Sequence, residues 1–175
     1  MSIKTIFLDR DGVIYREINY LNKIEEFEFI NGIFDACAYL INLDYNLIII
    51  TNQSGISRGF YTENDFKIIT SWMLSEFKKN NINILDVFHC PHLPDAKCNC
   101  RKPKPGMFLE AKVKYNIDME NSWMIGDNES DIVAANNSGI SKTILVGSGH
   151  KFNETKSNSK YFLNSIKQVN QVIIN

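Results

Sequence analysis

The sequence predicts an α/β protein built on a three-layer, doubly wound parallel sheet. Three observations carry that expectation. Short apolar runs rich in β-formers lack the polar alternation of a half-exposed strand, so they fit a sheet covered on both faces. Amphipathic segments separate the runs, as crossover helices between parallel strands require. Acids, hydroxyls and a lysine gather directly after the runs, at the strand ends where doubly wound sheets bind ligands.

The runs are KTIFLD (4–9), NLIIIT (46–51), LDVFHC (85–90), WMIGD (123–127) and KTILVG (142–147). Between the first two, Ile33, Phe34, Cys37, Leu40 and Ile41 recur at helical spacing within 31–43. Phe66, Ile69, Met73 and Phe77 form one stripe of a second helix, with Thr62 as its N-cap. A third helix starts at Pro105, since proline suits a first helical position. A fourth runs through ESDIVAANNSG and stops at Gly139, a C-terminal left-handed residue. NSIKQVNQVIIN (164–175) reads as a closing helix and NETKSNSK (153–160) as a polar surface loop. Cys37, Trp72 and Trp123 read as packing residues. No repeat or linker interrupts the chain, so one domain over 1–175 is expected.

Composition narrows the class. Hydrophobic residues at 44% and charged residues at 22% are ordinary for a soluble globular protein. A net charge of −1 gives no footprint for nucleic acid. The N-terminus does not resemble a signal peptide, and no apolar run approaches the roughly 18 residues of a membrane span. The expectation is a cytoplasmic protein without a membrane partner, where cysteine clusters signal metal or catalysis more often than disulfides. A complete motif set in one chain is compatible with a monomer.

The strand ends carry one chemistry. Asp9-Arg10-Asp11-Gly12 follows the first run and Thr51-Asn52-Gln53-Ser54-Gly55 the second. A cysteine cluster and then Arg101-Lys102-Pro103 follow the third, and Gly126-Asp127-Asn128-Glu129-Ser130-Asp131 the fourth. Each motif alone is commonplace in turns and helix caps; in this order, at strand ends, they suit phosphoryl transfer. A carboxylate nucleophile, Asp9, splits hydrolysis into two easier steps through an aspartyl-phosphate. Its approach to a phosphate dianion needs a bridging cation, and Asp9, Asp127 and the backbone carbonyl of Asp11 offer hard oxygens for Mg²⁺. Thr51 Oγ, the Asn52 amide and the Lys102 ammonium would hold the equatorial oxygens. Asp11 is placed to protonate the leaving alkoxide and then to activate water. Asp131 is read as ordering the lysine or a metal-bound water.

Residues 89–106 read HCPHLPDAKCNCRKPKPG. Cys90, His92, Cys98 and Cys100 form C-x-H-x5-C-x-C, a full tetrahedral set for structural Zn²⁺ with no position open for catalysis. A disulfide is the alternative and leaves His92 without a role. Cys100 adjoins Arg101, so a fixed cage would aim Arg101 and Lys102 at the phosphate site. His89 and His150 read as structural or surface residues. Arg58 is either a substrate contact or the partner of a surface acid.

FLDRDGVI, TNQSGISRG, CPHLPDAKCNCRKPKPGM and GDNESDIVAANNSGI together resemble the haloacid-dehalogenase (HAD) phosphatases over residues 6–140. More narrowly, they are similar to the D-glycero-D-manno-heptose 1,7-bisphosphate phosphatases and to the related histidinol-phosphate phosphatase domain. The resemblance implies a HAD-like Rossmannoid fold and the roles already assigned to Asp9, Asp11, Thr51, Lys102 and Asp127. It further implies that Asn52, Gln53 and Ser54 line the phosphate pocket, that Glu17, Asn19 and Tyr20 lie on a substrate-facing loop, and that Arg101 recognises the far part of a sugar phosphate. TNQSGISRG followed by RKPKPGM favours removal of the C7 phosphate of heptose 1,7-bisphosphate, in nucleotide-heptose assembly for surface glycans, over histidinol-phosphate hydrolysis. One departure stands out: the family usually has a basic residue where this chain has Asn128. Larger relatives insert a cap, but core elements fill both intervals between the motifs here. A capless enzyme is therefore expected, its specificity set by the 13–25 loop and the cysteine loop. Two further classes compete: a zinc-ribbon binding module with incidental acids, and a regulator that passes the phosphoryl group elsewhere.

Overall fold

The computed structural model describes residues 1–147 and 154–174, so His150 and Asn175 lie outside the described residues. The five expected strands form as β1 (Thr5–Leu8), β2 (Asn46–Asn52), β3 (Ile84–Cys90), β4 (Trp123–Gly126) and β5 (Lys142–Val146). A further edge strand, β6 (Tyr161–Leu163), follows the polar loop and was not expected. The sheet order is β3-β2-β1-β4-β5-β6 with every pairing parallel.

The unalternating strands are apolar on both sides because both sides are covered. Ile6, Leu8, Leu47 and Ile49 face one core with α1 (Ile33–Asn42) and α2 (Glu63–Lys79), including Leu40, Ile69, Met73 and Phe77. Phe7, Ile48, Ile50 and Phe88 face the other with α3 (Gly106–Tyr115) and α4 (Glu129–Ser138), including Met107, Phe108 and Ala135. Successive strand residues thus alternate between two cores, and full burial of each large side chain contributes about 1.5–3 kcal/mol.

Helix boundaries follow local chemistry. Thr62 and Asp65 form a reciprocal capping box that starts α2, and Lys78 and Lys79 sit in its last turn. Pro105 stands one residue before α3. Asn128 and Asp131 form the capping box of α4, which Gly139 ends at φ 99°. The expected closing helix is instead a 3-10 segment, Ile166–Gln171, with Ile166 and Val169 buried. Apolar residues at every third position suit its three residues per turn, and Tyr39 Oη bonds the Ile173 carbonyl at 2.8 Å. Among the described residues no helix is long and apolar enough to cross a membrane.

Candidate active site

β1 is central, and the chain proceeds to β2 and β3 on one side before returning to β4 on the other. The strand order therefore changes direction between β1 and β4, where a ligand crevice is expected. Leu8 pairs with Ile125, and Asp9 N bonds the Ile125 carbonyl at 3.0 Å, so Asp9 and Asp127 emerge side by side. A cavity of about 290 Å³ opens there. Asp9, Asp11, Thr51, Lys102 and Asp127 all line it. So do Glu17, Asn19 and Tyr20 from the loop after β1, Asn52, Gln53 and Ser54 after β2, and Arg101. Arg58 is exposed and does not line this cavity.

Lys102 is the hub. It is 3% exposed, and its ammonium meets the Ile50 carbonyl at 2.8 Å, Asp9 Oδ1 at 2.9 Å and Asp131 Oδ1 at 2.6 Å. Burial would lower its pKa, but the two carboxylates beside it raise it. Asp131 thus orders the lysine, one of its two expected roles, while its other oxygen accepts from Asn128 N. Gly126 permits this arrangement, since a Cβ there would collide with the Cβ and carboxylate of Asp131.

The acids outnumber that lysine. Burial, then Asp131 and Asp11, push Asp9 up to about 8, although Lys102 opposes them. Burial, then Asp9, Asp131 and Glu17, push Asp127 up to about 9. Asp9, Asp127 and Asp131 place ligand oxygens within 4.8 Å of one another. Such a cluster, only partly neutralised by one ammonium, fits a small dication with oxygen ligands such as Mg²⁺. Asp11 sends its carboxylate elsewhere and is not part of this cluster.

Asp11 accepts from Arg10 Nε at 3.2 Å, Thr51 Oγ1 at 3.1 Å, Gln53 Nε2 at 2.9 Å and the Tyr15 hydroxyl. Burial alone would raise its pKa, but Arg10 and these donors together hold it below the usual carboxylate range. Sequence reading missed Arg10. It is 2% exposed, with its guanidinium over the rings of Tyr15 and Phe66. The Asp-Arg-Asp pattern by itself carries no sign of that burial.

Asn52 uses its side chain twice on Lys102. Its Nδ2 donates to the Lys102 carbonyl and its Oδ1 accepts from Lys102 N, both at 3.1 Å. The carboxamide therefore splices the end of β2 to the lysine segment. Gln53 is likewise engaged, donating to Thr51 Oγ1 at 2.8 Å and accepting from Tyr61 Oη at 2.5 Å. Tyr61 is a second residue the sequence did not reveal; its ring occupies the space a Cβ at Gly55 would need. Asn128, in place of a basic residue, accepts from Ser130 N at 3.0 Å as a helix cap.

The cage assembles as expected. Tetrahedral Zn–S bonds of about 2.3 Å and Zn–N bonds of about 2.0 Å imply S–S edges of about 3.8 Å and S–N edges of about 3.5 Å. Cys90 and Cys98 sulfurs stand 3.8 Å apart, and His92 Nδ1 lies 3.4 Å from Cys90 Sγ and 3.2 Å from Cys100 Sγ. These fit zinc, and a 3.8 Å separation is far too long for a disulfide of about 2.05 Å. The cage is tied to the site. Arg101 Nη1 donates to the His92 carbonyl at 3.2 Å, and Gly106 packs against the Asn99 carbonyl with no room for a Cβ. His89 lies outside it, paired with Glu63 at 2.7 Å and stacked on Phe66.

Comparison with known proteins agrees with this geometry. A family model described as HAD-hydrolase-like matches residues 99–169. D-glycero-alpha-D-manno-heptose-1,7-bisphosphate 7-phosphatase of Campylobacter jejuni is 48% identical over 171 residues, covering 96% of this chain and 98% of that one. The corresponding beta-heptose enzyme of Vibrio cholerae is 41% identical, covering 97% and 95%. The crystal structure of D,D-heptose 1,7-bisphosphate phosphatase from B. bronchiseptica, complexed with magnesium and phosphate, superposes with a TM-score of 0.85 at 28% identity, covering 97% of both chains. The chain belongs to the heptose-1,7-bisphosphate 7-phosphatase family of HAD-like hydrolases.

Proposed function

We propose that this protein is a phosphoric monoester hydrolase that removes the C7 phosphate of D-glycero-D-manno-heptose 1,7-bisphosphate. The observation that carries the reading is Lys102, held between Asp9 and Asp131 at the mouth of an acid-lined cavity. Asp9 is the nucleophile. Its Oδ1 accepts from Arg10 N at 2.7 Å and from Lys102, which leaves Oδ2 to attack phosphorus. Mg²⁺, held by Asp9, Asp127 and the Asp11 carbonyl, would neutralise the charge that otherwise keeps the phosphate away. Thr51 Oγ1, the Asn52 amide and Lys102 stabilise the transferring phosphoryl group. Asp11, held ionised, is set to draw a proton from water in the second half-reaction. The proton gained there is the one it gives to the leaving alkoxide in the first half-reaction of the next turnover.

Zn²⁺ held by Cys90, His92, Cys98 and Cys100 would be structural and would keep Arg101 and Lys102 in place. Glu17, Asn19 and Tyr20 face the sugar, and Arg101 faces its distal phosphate. The higher identity to the alpha-heptose relative favours the α anomer. Steady-state rates on both anomers of the bisphosphate and on histidinol phosphate, with and without Mg²⁺, test this. The expected order is α, then β, then histidinol phosphate, with little turnover in the absence of Mg²⁺. A preference for histidinol phosphate overturns the substrate, and Mg²⁺-independent turnover overturns the mechanism.

A further inference from the structure

We infer that Phe60, which does not line the cavity, is a positioning residue for substrate specificity, because it clasps the tip of the sugar-facing loop. The inference rests on the substrate reading above for its kinetic consequence, though not for its structural one.

The loop after β1 is rooted at Leu21, which is buried, and at Ile18, which packs on the same core. Between them Tyr20 lines the cavity, yet it remains 42% exposed. Its backbone is left-handed, with φ 58°, a region that non-glycine residues adopt at a cost unless contacts maintain it. The contacts that do so come from the loop after β2. The Phe60 ring lies 4.4 Å from the Tyr20 ring at a 55° tilt, and Asn22 Nδ2 donates to the Phe60 carbonyl at 3.3 Å. Phe60 is itself 52% exposed, so burial in the core does not explain a large apolar ring there.

Phe60 is held at both sides. Its amide bonds the Gly55 carbonyl at 3.0 Å, and the next residue, Tyr61, turns inward to Gln53. Gly59, at φ 74° in open space, makes the turn that sends consecutive aromatic residues in opposite directions. The phosphate-binding loop therefore reaches out through Phe60 and fixes the wall against which a sugar would lie. An aromatic face suits the C–H-rich face of a sugar ring, and a wall already in place spares the substrate the cost of ordering it.

The tests are Phe60→Ala and its conservative rescue, Phe60→Trp. An aromatic pair of this kind adds about 0.5–1.5 kcal/mol, which corresponds to about two- to tenfold. Phe60→Ala should therefore lower kcat/KM for the sugar bisphosphate by about that factor, chiefly through KM. Hydrolysis of p-nitrophenyl phosphate, which has no sugar to reach the wall, should be spared, and Phe60→Trp should restore the loss. Combined with Tyr20→Ala, Phe60→Ala should add nothing further. Independently of any substrate, amide hydrogen exchange across 18–22 should quicken in Phe60→Ala. Equal losses on both substrates, or unchanged exchange across 18–22, would overturn the clasp. Wild-type protein inert on the bisphosphate but active on p-nitrophenyl phosphate would instead refute the substrate reading, with the exchange comparison still deciding the clasp.

Discussion

Deleting the charge of Lys102 should destabilise the metal-free protein in a pH-dependent way. The ammonium lies 2.9 Å from Asp9 Oδ1 and 2.6 Å from Asp131 Oδ1 and is almost wholly buried. At an effective dielectric constant of about 20, each contact represents about 6 kcal/mol of attraction. Desolvation of the ions cancels most of this, and removing one partner of such a group costs about 3–5 kcal/mol. Lys102→Met keeps the stem and removes the charge, so the unfolding free energy near pH 8 should fall by that amount. The loss should shrink towards pH 5, because Asp9 and Asp127 take up protons below about 8 and about 9 and then need less counter-charge. Urea unfolding followed by circular dichroism, in Mg²⁺-free buffer at both pH values, measures it. A variant as stable as wild type at pH 8, or an equal loss at both pH values, would refute Lys102 as the counter-ion of the acid cluster. The same variant should lose about 10²–10³-fold in kcat, the scale of removing one donor to a developing oxyanion.

The raised carboxyl groups also set a direction for the wild type. The folded, metal-free chain holds protons on Asp9 and Asp127 that the unfolded chain releases near 3.8, so their contribution is complete below that value and lost as pH rises through about 8 and 9. Thermal scans should therefore show Mg²⁺ raising Tm more at high pH than at low pH; a pH-independent increment contradicts this. Cys98→Ser should speed amide exchange across 91–104 and lower kcat by about 10²-fold, the scale of a misplacement of about 1 Å. Full activity with unchanged exchange would remove the cage from its aiming role. Gly126→Ala should cost about 1–3 kcal/mol by overpacking against Asp131 and should lower kcat with it. Unfolding midpoints indistinguishable from wild type would show that the strand end relaxes freely.

The core of the fold was legible because β1, β2, β4 and β5 are runs such as LIII whose lack of alternation already states that both faces are covered. The Cys/His cluster was legible because ligand type and spacing single out Cys90, His92, Cys98 and Cys100 directly. β6 was not, since Tyr161-Phe162-Leu163 is too short to display a period. Arg10 and Tyr61 escaped for a different reason. Burial of Arg10 depends on Tyr15 and Phe66, and the place of Tyr61 depends on Gly55 and Gln53, which are facts of packing and not of pattern. Asn52 lines the cavity, but no sequence pattern reveals that its carboxamide is committed to the backbone of Lys102.

The most direct test is whether Asp9 carries the phosphoryl group. Acid quench within the first turnover, borohydride reduction and peptide mass spectrometry would report it, since an acyl phosphate is reduced while a free carboxylate is not. Recovery of position 9 as homoserine, only when substrate and Mg²⁺ are both present, is the predicted result. Unmodified Asp9 throughout turnover, with inorganic phosphate released at the normal rate, would contradict the covalent route.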